Sequence, residues 1–166
     1  MNIVEGIATV ADVDDFVGDL TAIGEEYGCA VQAFDARAVA GRTHLETAVE
    51  RANRSTARGE NVADDRAVEI LLWAAGRRQI DQALALGVTP GECPVAVVID
   101  GSDAADEDRA ADAVRDRLAP AETLGVRRDA DRIREYFSIT AAEEAATTAS
   151  LEALVIERVS LLAVER

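Results

Sequence analysis

The sequence predicts an α/β fold: a small mixed β-sheet flanked by a cluster of helices. Three observations carry this. Strand-like runs at 3–10, 29–34 and 95–99 are short, largely apolar segments of strand length. Longer stretches between them repeat their apolar residues at helical spacing. The alternation of the two is the pattern of sheet-and-helix layers. The chain has 166 residues, and no repeat, linker or composition break divides it, so one domain over 1–166 is expected. A chain of this length buries roughly two-thirds of its unfolded surface, enough for a true core.

The elements follow in order. Residues 3–10 are the first strand. Residues 12–27 are a helix, with Asp12 as N-cap and Val13, Phe16, Val17, Leu20 and Ile23 on one stripe. Residues 29–34 are the second strand. Residues 42–58 are a helix that turns Leu45, Ala48, Val49 and Ala52 inward and stops at Gly59. Residues 64–75 are a short helix in which only Glu69 is polar from Ala67 to Ala75, and Gly76 breaks it. Residues 77–86 are predicted as the next helix. Pro94 opens Val95–Ile99, a continuous apolar strand suited to the centre of a sheet. An acidic helix over 103–118 follows, then an edge strand over 120–126, a helix over 129–137, a capping box at Thr140–Glu143, and a last helix over 150–164.

Charge is the strongest bulk signal. There are 32 acids against 17 bases, a net charge of −15, and every base is Arg. One reading is a surface that repels nucleic acid and favours cationic partners. The other is the acidic, Lys-free surface expected of a halophile-like cytoplasm at molar salt. The acids are spread along the chain and do not form one tail, which favours the second. At about 1 M salt the Debye length is about 3 Å, so net charge does not exclude an RNA partner at a distance. The charge is also uneven. Residues 1–36 carry −8, residues 37–82 carry +1 and residues 83–166 carry −8, which makes the middle third a relatively basic island.

Several chemistries lack their residues. His44 is the sole histidine, and no nucleophile elbow accompanies it. Cys29 and Cys93 fit no zinc or redox spacing and read as small hydrophobes at strand starts. No glycine-rich phosphate loop follows a strand, and Asp100–Asp108 is not a calcium loop. No apolar run reaches membrane-spanning length. The pattern argues against a self-sufficient enzyme and implies no metal or cofactor.

The middle third offers a binding surface instead. On the helix over 42–58, Arg51, Arg54 and Arg58 fall opposite the apolar face, with His44 near their edge. Glu50–Arg54 has the spacing of a salt bridge, and Arg58 suits a helix C-terminus. Arg77 and Arg78 are predicted to open a helix, where backbone N–H groups and two guanidinium forks would make a phosphate-sized site. The alternative is simple neutralisation by Asp81.

Phe34–Leu45, Gly59–Ala63 and Glu69–Ile80, with Ala83 and Gly87, resemble the KEOPS-complex subunit family known in animals as the PRPK-binding protein. Leu151–Leu162 resembles that family's last helix. Asp64 and Asp65 depart from its pattern. The resemblance implies a non-catalytic, cytoplasmic subunit of the assembly that makes N6-threonylcarbamoyladenosine in tRNA. It implies docking on the atypical kinase/ATPase subunit, and through it on the sugar-kinase-like catalytic subunit. It also implies a grip on the tRNA 3′ CCA end, placed here on Arg37, Arg42, His44, Arg77, Arg78 and Gln79. Leu72, Trp73 and Ile156 are the expected partner-facing residues. Two other readings stay open: a protein-only regulator of the kinase without RNA contact, and a small enzyme acting on a cationic metabolite through its carboxylates.

Overall fold

A computed structural model describes residues 1–165. Their contacts form two compact units, Met1–Ala36 with Gly87–Arg127 and Arg37–Leu86 with Arg128–Arg166. The first unit holds the sheet. Strand β1 (Asn2–Val10) leads into helix α1 (Val13–Tyr27), then β2 (Cys29–Asp35), β3 (Gly91–Gly101), α5 (Ala104–Arg115) and β4 (Ala119–Pro120). The fold class is α/β, as the alternation predicts.

The sheet is antiparallel throughout, not mixed. Its order is β2-β3-β1-β4, and each hydrogen-bonded pair runs antiparallel. A strand–helix–strand sequence ordinarily reads as a parallel crossover. Here β3 inserts between β1 and β2 and runs against both, a split βαβ arrangement. That insertion is made by a strand some 55 residues downstream, beyond the reach of local pattern. β3 is central as expected, with every residue from Cys93 to Asp100 buried.

One sheet face packs on α1 and α5 through Val4, Ala8, Val31, Val95, Val97 and Ile99. Asp12 caps α1 by accepting from the Asp15 N–H at 2.9 Å, and Asp103 caps α5 by accepting from Ala105 and Asp106. Cys29 is half-buried, Cys93 is buried, and the two are not joined in a disulfide. The edge strand expected over 120–126 shortens to β4. Pro120 has no N–H to extend the ladder. Beyond it the chain turns, because Glu5 Oε1 takes the N–H groups of Thr123 and Leu124 at 2.9 and 2.7 Å.

The second unit is helical: α2 (Arg42–Ala57), α3 (Arg66–Ala75), α4 (Ile80–Ala83), α6 (Ala130–Phe137), α7 (Ala141–Ala145) and α8 (Leu151–Glu165). Helix α3 is its centre, with Glu69 to Ala75 all buried. α2 buries Leu45, Ala48, Val49 and Ala52, the face predicted from periodicity. Its N-terminus has no cap of its own. Glu152 of α8 supplies one, accepting from the His44 N–H at 3.0 Å. Gly41 leaves room for this: a Cβ there would lie 2.5 Å from the Glu152 carboxylate. Thr140 caps α7 by accepting from the Glu143 N–H.

Two glycines in α1 separate intrinsic propensity from packing. Gly18 faces open space, while a Cβ at Gly24 would meet the Cys29 carbonyl oxygen at 2.5 Å. Gly18→Ala should therefore stabilise the protein by about 0.5–1 kcal/mol. Gly24→Ala should destabilise it by about 1–3 kcal/mol despite the better helix former. Urea unfolding at fixed salt checks both; equal shifts for the two would refute the packing argument.

Candidate nucleic-acid interface

The inward face of α2 forces Arg51, Arg54 and Arg58 to the opposite side, as a period of 100° per residue requires. Helix α3 then ends at Gly76, whose φ of 61° lies in the left-handed region that glycine tolerates. Gly76 N–H donates to the Trp73 carbonyl and Arg77 N–H to that of Leu72, both at 3.1 Å, which is a Schellman closure. The reversed chain delivers Arg78 to the same place as the α2 arginines. Arg51, Arg54, Arg58 and Arg78, with Ser55 and Trp73, line a cavity of about 480 Å³. Glu60 and Val62 of the α2–α3 loop and Ala163 of α8 complete it. This volume falls in the range of small-ligand sites, which is about 300–1,000 Å³.

The four guanidinium groups are not equivalent. Arg54 is bound to Glu50 at 2.8 Å, the predicted i,i+4 pair, and Arg51 donates to Ser160 Oγ at 3.3 Å. Among the described residues, the Arg58 and Arg78 side chains have no hydrogen-bond or ion-pair partner. An anion entering the cavity thus meets two uncommitted forks. The surrounding unit carries 13 Arg against 15 acids, whereas the sheet unit carries 4 against 17. The electrostatic repulsion of an anion is therefore weaker at the first unit than at the second.

Of the six residues predicted to hold RNA, only Arg78 lines this cavity. Arg77 does not open a helix. The helix predicted over 77–86 is reduced to α4 and a tight turn over Leu84–Leu86. Arg77 lies at the C-terminal end of α3, where a cation is favoured. Its guanidinium donates to the Tyr136 carbonyl at 2.9 Å and lies 4.6 Å from the centre of the Tyr136 ring. That fastens α3 to α6 and leaves no phosphate fork. Arg42 is exposed but paired with Glu46 at 2.9 Å. Gln79 is exposed, and its carbonyl accepts from Gln82. Arg37 is half-buried, and its backbone carbonyl holds the Asp129 N–H.

His44 is fully buried, not at the edge of the basic stripe. Its Nδ1 accepts from the Ala40 N–H at 3.1 Å, and its Nε2 donates to the Ala74 carbonyl at 2.7 Å. Its ring meets Phe137 edge-on. The signal for this lay in the sequence: His44 stands four residues before Ala48 and eight before Ala52, on the inward face. Leu72 and Trp73 are also buried, so neither lies on an exposed protein-docking face, and Trp73 reaches only the cavity wall. A helix apolar on every side is here the centre of its unit. Ile156 is half-buried on α8, and Leu161 and Val164 are the exposed apolar residues of that helix.

One residue beside the cavity stands out in the sequence only as the single polar position of its helix, with no role read for it. Glu69 is completely buried, and its carboxylate accepts from Ser55 Oγ, Trp73 Nε1 and the N–H groups of Val62 and Ala63. The available signal was a lone acid in a run of apolar residues, which is costly to bury unless donors surround it.

His44 makes the helical unit sensitive to acid. Burial holds its imidazole below the ordinary value of 6.5, outweighing the Ala74 hydrogen bond and the charge of Glu152. The unfolded chain therefore takes up the proton first as pH falls. His44 contributes stability that is fully present above pH 6.5 and is lost progressively below it. Tm at constant salt should fall between pH 7 and pH 5, above the range of ordinary carboxylates. His44→Phe should be less stable at pH 7 and flatter across that window. A wild-type Tm that stays level over it would contradict this.

No curated protein is similar enough to the chain to register as a match. A family model described as kinase binding protein CGI-121 matches residues 11–163, which span α1 through nearly all of α8. The chain belongs to that family of kinase-binding proteins.

Proposed function

We propose that this protein is a non-catalytic subunit of the KEOPS tRNA-modifying assembly, active in N6-threonylcarbamoyladenosine formation. In this reading it docks on the kinase/ATPase subunit and holds the 3′ CCA end of tRNA. Membership of a kinase-binding family supports the docking. The single observation that carries the RNA half is the gathering of four arginines on one cavity in a chain of net charge −15. The RNA site is accordingly Arg58 and Arg78, supported by Arg51 and Arg54, in place of the wider set read from the sequence.

Arginine suits the task better than lysine. Its planar group stacks on unpaired bases and forks onto phosphate. In a cell at molar salt, counterion release adds little, so stacking and directed hydrogen bonds carry the affinity. The kinase meets the outer side of α8. That helix buries Leu151, Leu154, Val155, Val159 and Leu162 and still exposes Leu161 and Val164, so it is apolar on two sides. Its outer apolar residues suit a partner protein.

Two titrations in molar salt test the proposal. Arg78→Ala should weaken tRNA binding by about 1–3 kcal/mol, the size of a lost stacking contact, and leave kinase binding intact. Leu161→Arg should abolish co-purification with the kinase and leave tRNA affinity unchanged. If Arg78→Ala has no effect, or tRNA lacking its CCA end binds equally well, the protein is a regulator of the kinase alone.

A further inference from the structure

We infer that Glu69 is the positioning residue of the arginine cavity, its buried carboxylate holding the wall in the shape that receives an RNA end. This rests on the reading of the cavity as an RNA site. Three of the cavity's lining residues come from three different segments: Ser55 from α2, Val62 from the α2–α3 loop and Trp73 from α3. All three are tied to Glu69. Oε1 accepts from Ser55 Oγ at 3.2 Å and from Trp73 Nε1 at 3.0 Å. Oε2 accepts from Val62 N–H at 3.0 Å and from the adjacent Ala63 N–H at 2.9 Å.

Only a carboxylate of this length serves four donors at once, because both of its oxygens accept. An amide would turn its NH2 group toward one of the two donor pairs. An apolar side chain would leave buried donors unmatched. Asn61 Nδ2 also donates to the Ala63 carbonyl at 3.0 Å, but that bond lies within the loop and does not tie it to α3. The Val62 side chain is 48% exposed, so packing does not hold it, and the Ala63 side chain is a single methyl group. Glu69 itself does not line the cavity and does not touch the ligand site. It acts through the residues that do.

The chain's single tryptophan is one of the four partners, which provides a built-in reporter. Glu69→Gln should shift Trp73 emission and raise amide exchange at Val62 and Ala63. It should also weaken binding of a single-stranded RNA oligonucleotide ending in CCA by roughly tenfold, the worth of one misplaced buried hydrogen bond. Arg78→Ala should weaken that binding without changing free-protein Trp73 emission or loop exchange. In the wild type, Val62 and Ala63 should already exchange far more slowly than the exposed Thr147 and Thr148, a measurement that stands even where the variant does not fold. Free exchange at Val62 and Ala63 in the wild type overturns the inference. So does wild-type RNA affinity in a folded Glu69→Gln protein whose binding still depends on Arg78. A wild-type protein that does not bind the oligonucleotide, with slow Val62 and Ala63 exchange, overturns the RNA reading and with it the RNA role of Glu69, while leaving the loop anchor in place.

Discussion

The helical unit is organised by the need to surround α3. Seven consecutive residues, Glu69 to Ala75, are buried and all but Glu69 are apolar, so no side of this helix can face water. Its polar groups must then find partners on its neighbours, and each such partner fixes an element of the unit. The Ala74 carbonyl receives His44 of α2, and the Leu72 and Trp73 carbonyls receive the N–H groups of the chain reversal. Glu69 receives α2 and the α2–α3 loop. Burial of an unmatched polar group costs about 1–3 kcal/mol. Few competing arrangements can satisfy all of these groups together. The arginine cavity lies where these constraints meet.

The charge distribution makes sense once the two units are taken separately. Acids dominate the sheet unit by 17 to 4, and the helical unit is nearly balanced. The overall −15 thus describes mostly the part that does not hold the cavity. Among the described residues, Arg58 and Arg78 keep uncommitted guanidinium groups, while Arg51 and Arg54 are tied within the unit. Binding that recruits an uncommitted group breaks no internal pair. Binding that recruits Arg54 competes with Glu50.

Much of the fold was legible from periodicity. Helices α1, α2, α5, α6 and α8 and strands β1 to β3 fall within a few residues of their expected bounds, because each has one clear apolar face or run. What periodicity lacks is knowledge of what comes between elements. The insertion of β3 between β1 and β2 is non-local, and so the sheet was expected to be mixed. The site was less legible for the same reason. Arg51, Arg54 and Arg58 were visible as a stripe and Arg78 as a separate feature. That they share one cavity depends on the Gly76 reversal. Read as a helix start, Arg77–Arg78 suggested an anion site; read as the residues after a glycine stop, Arg77 becomes a helix-end cation. His44 was misplaced although its spacing to Ala48 and Ala52 was sufficient to put it inside.

Helix α8 links the two surfaces on which the proposed function depends. Near its N-terminus, Glu152 caps α2. Further along, Ser160 receives Arg51 and Ala163 lines the cavity, while Leu161 and Val164 face outward. One helix therefore contributes to the cavity wall and to the exposed apolar surface within a single turn. A protein partner covering Leu161 and Val164 would restrict the same turn that carries Ser160 and Ala163. Ordering a side chain at an interface costs about 0.5–1.5 kcal/mol. A turn already ordered by one partner does not incur that cost again for the second ligand, so occupancy of α8 and of the cavity should favour each other even where the two ligands never touch.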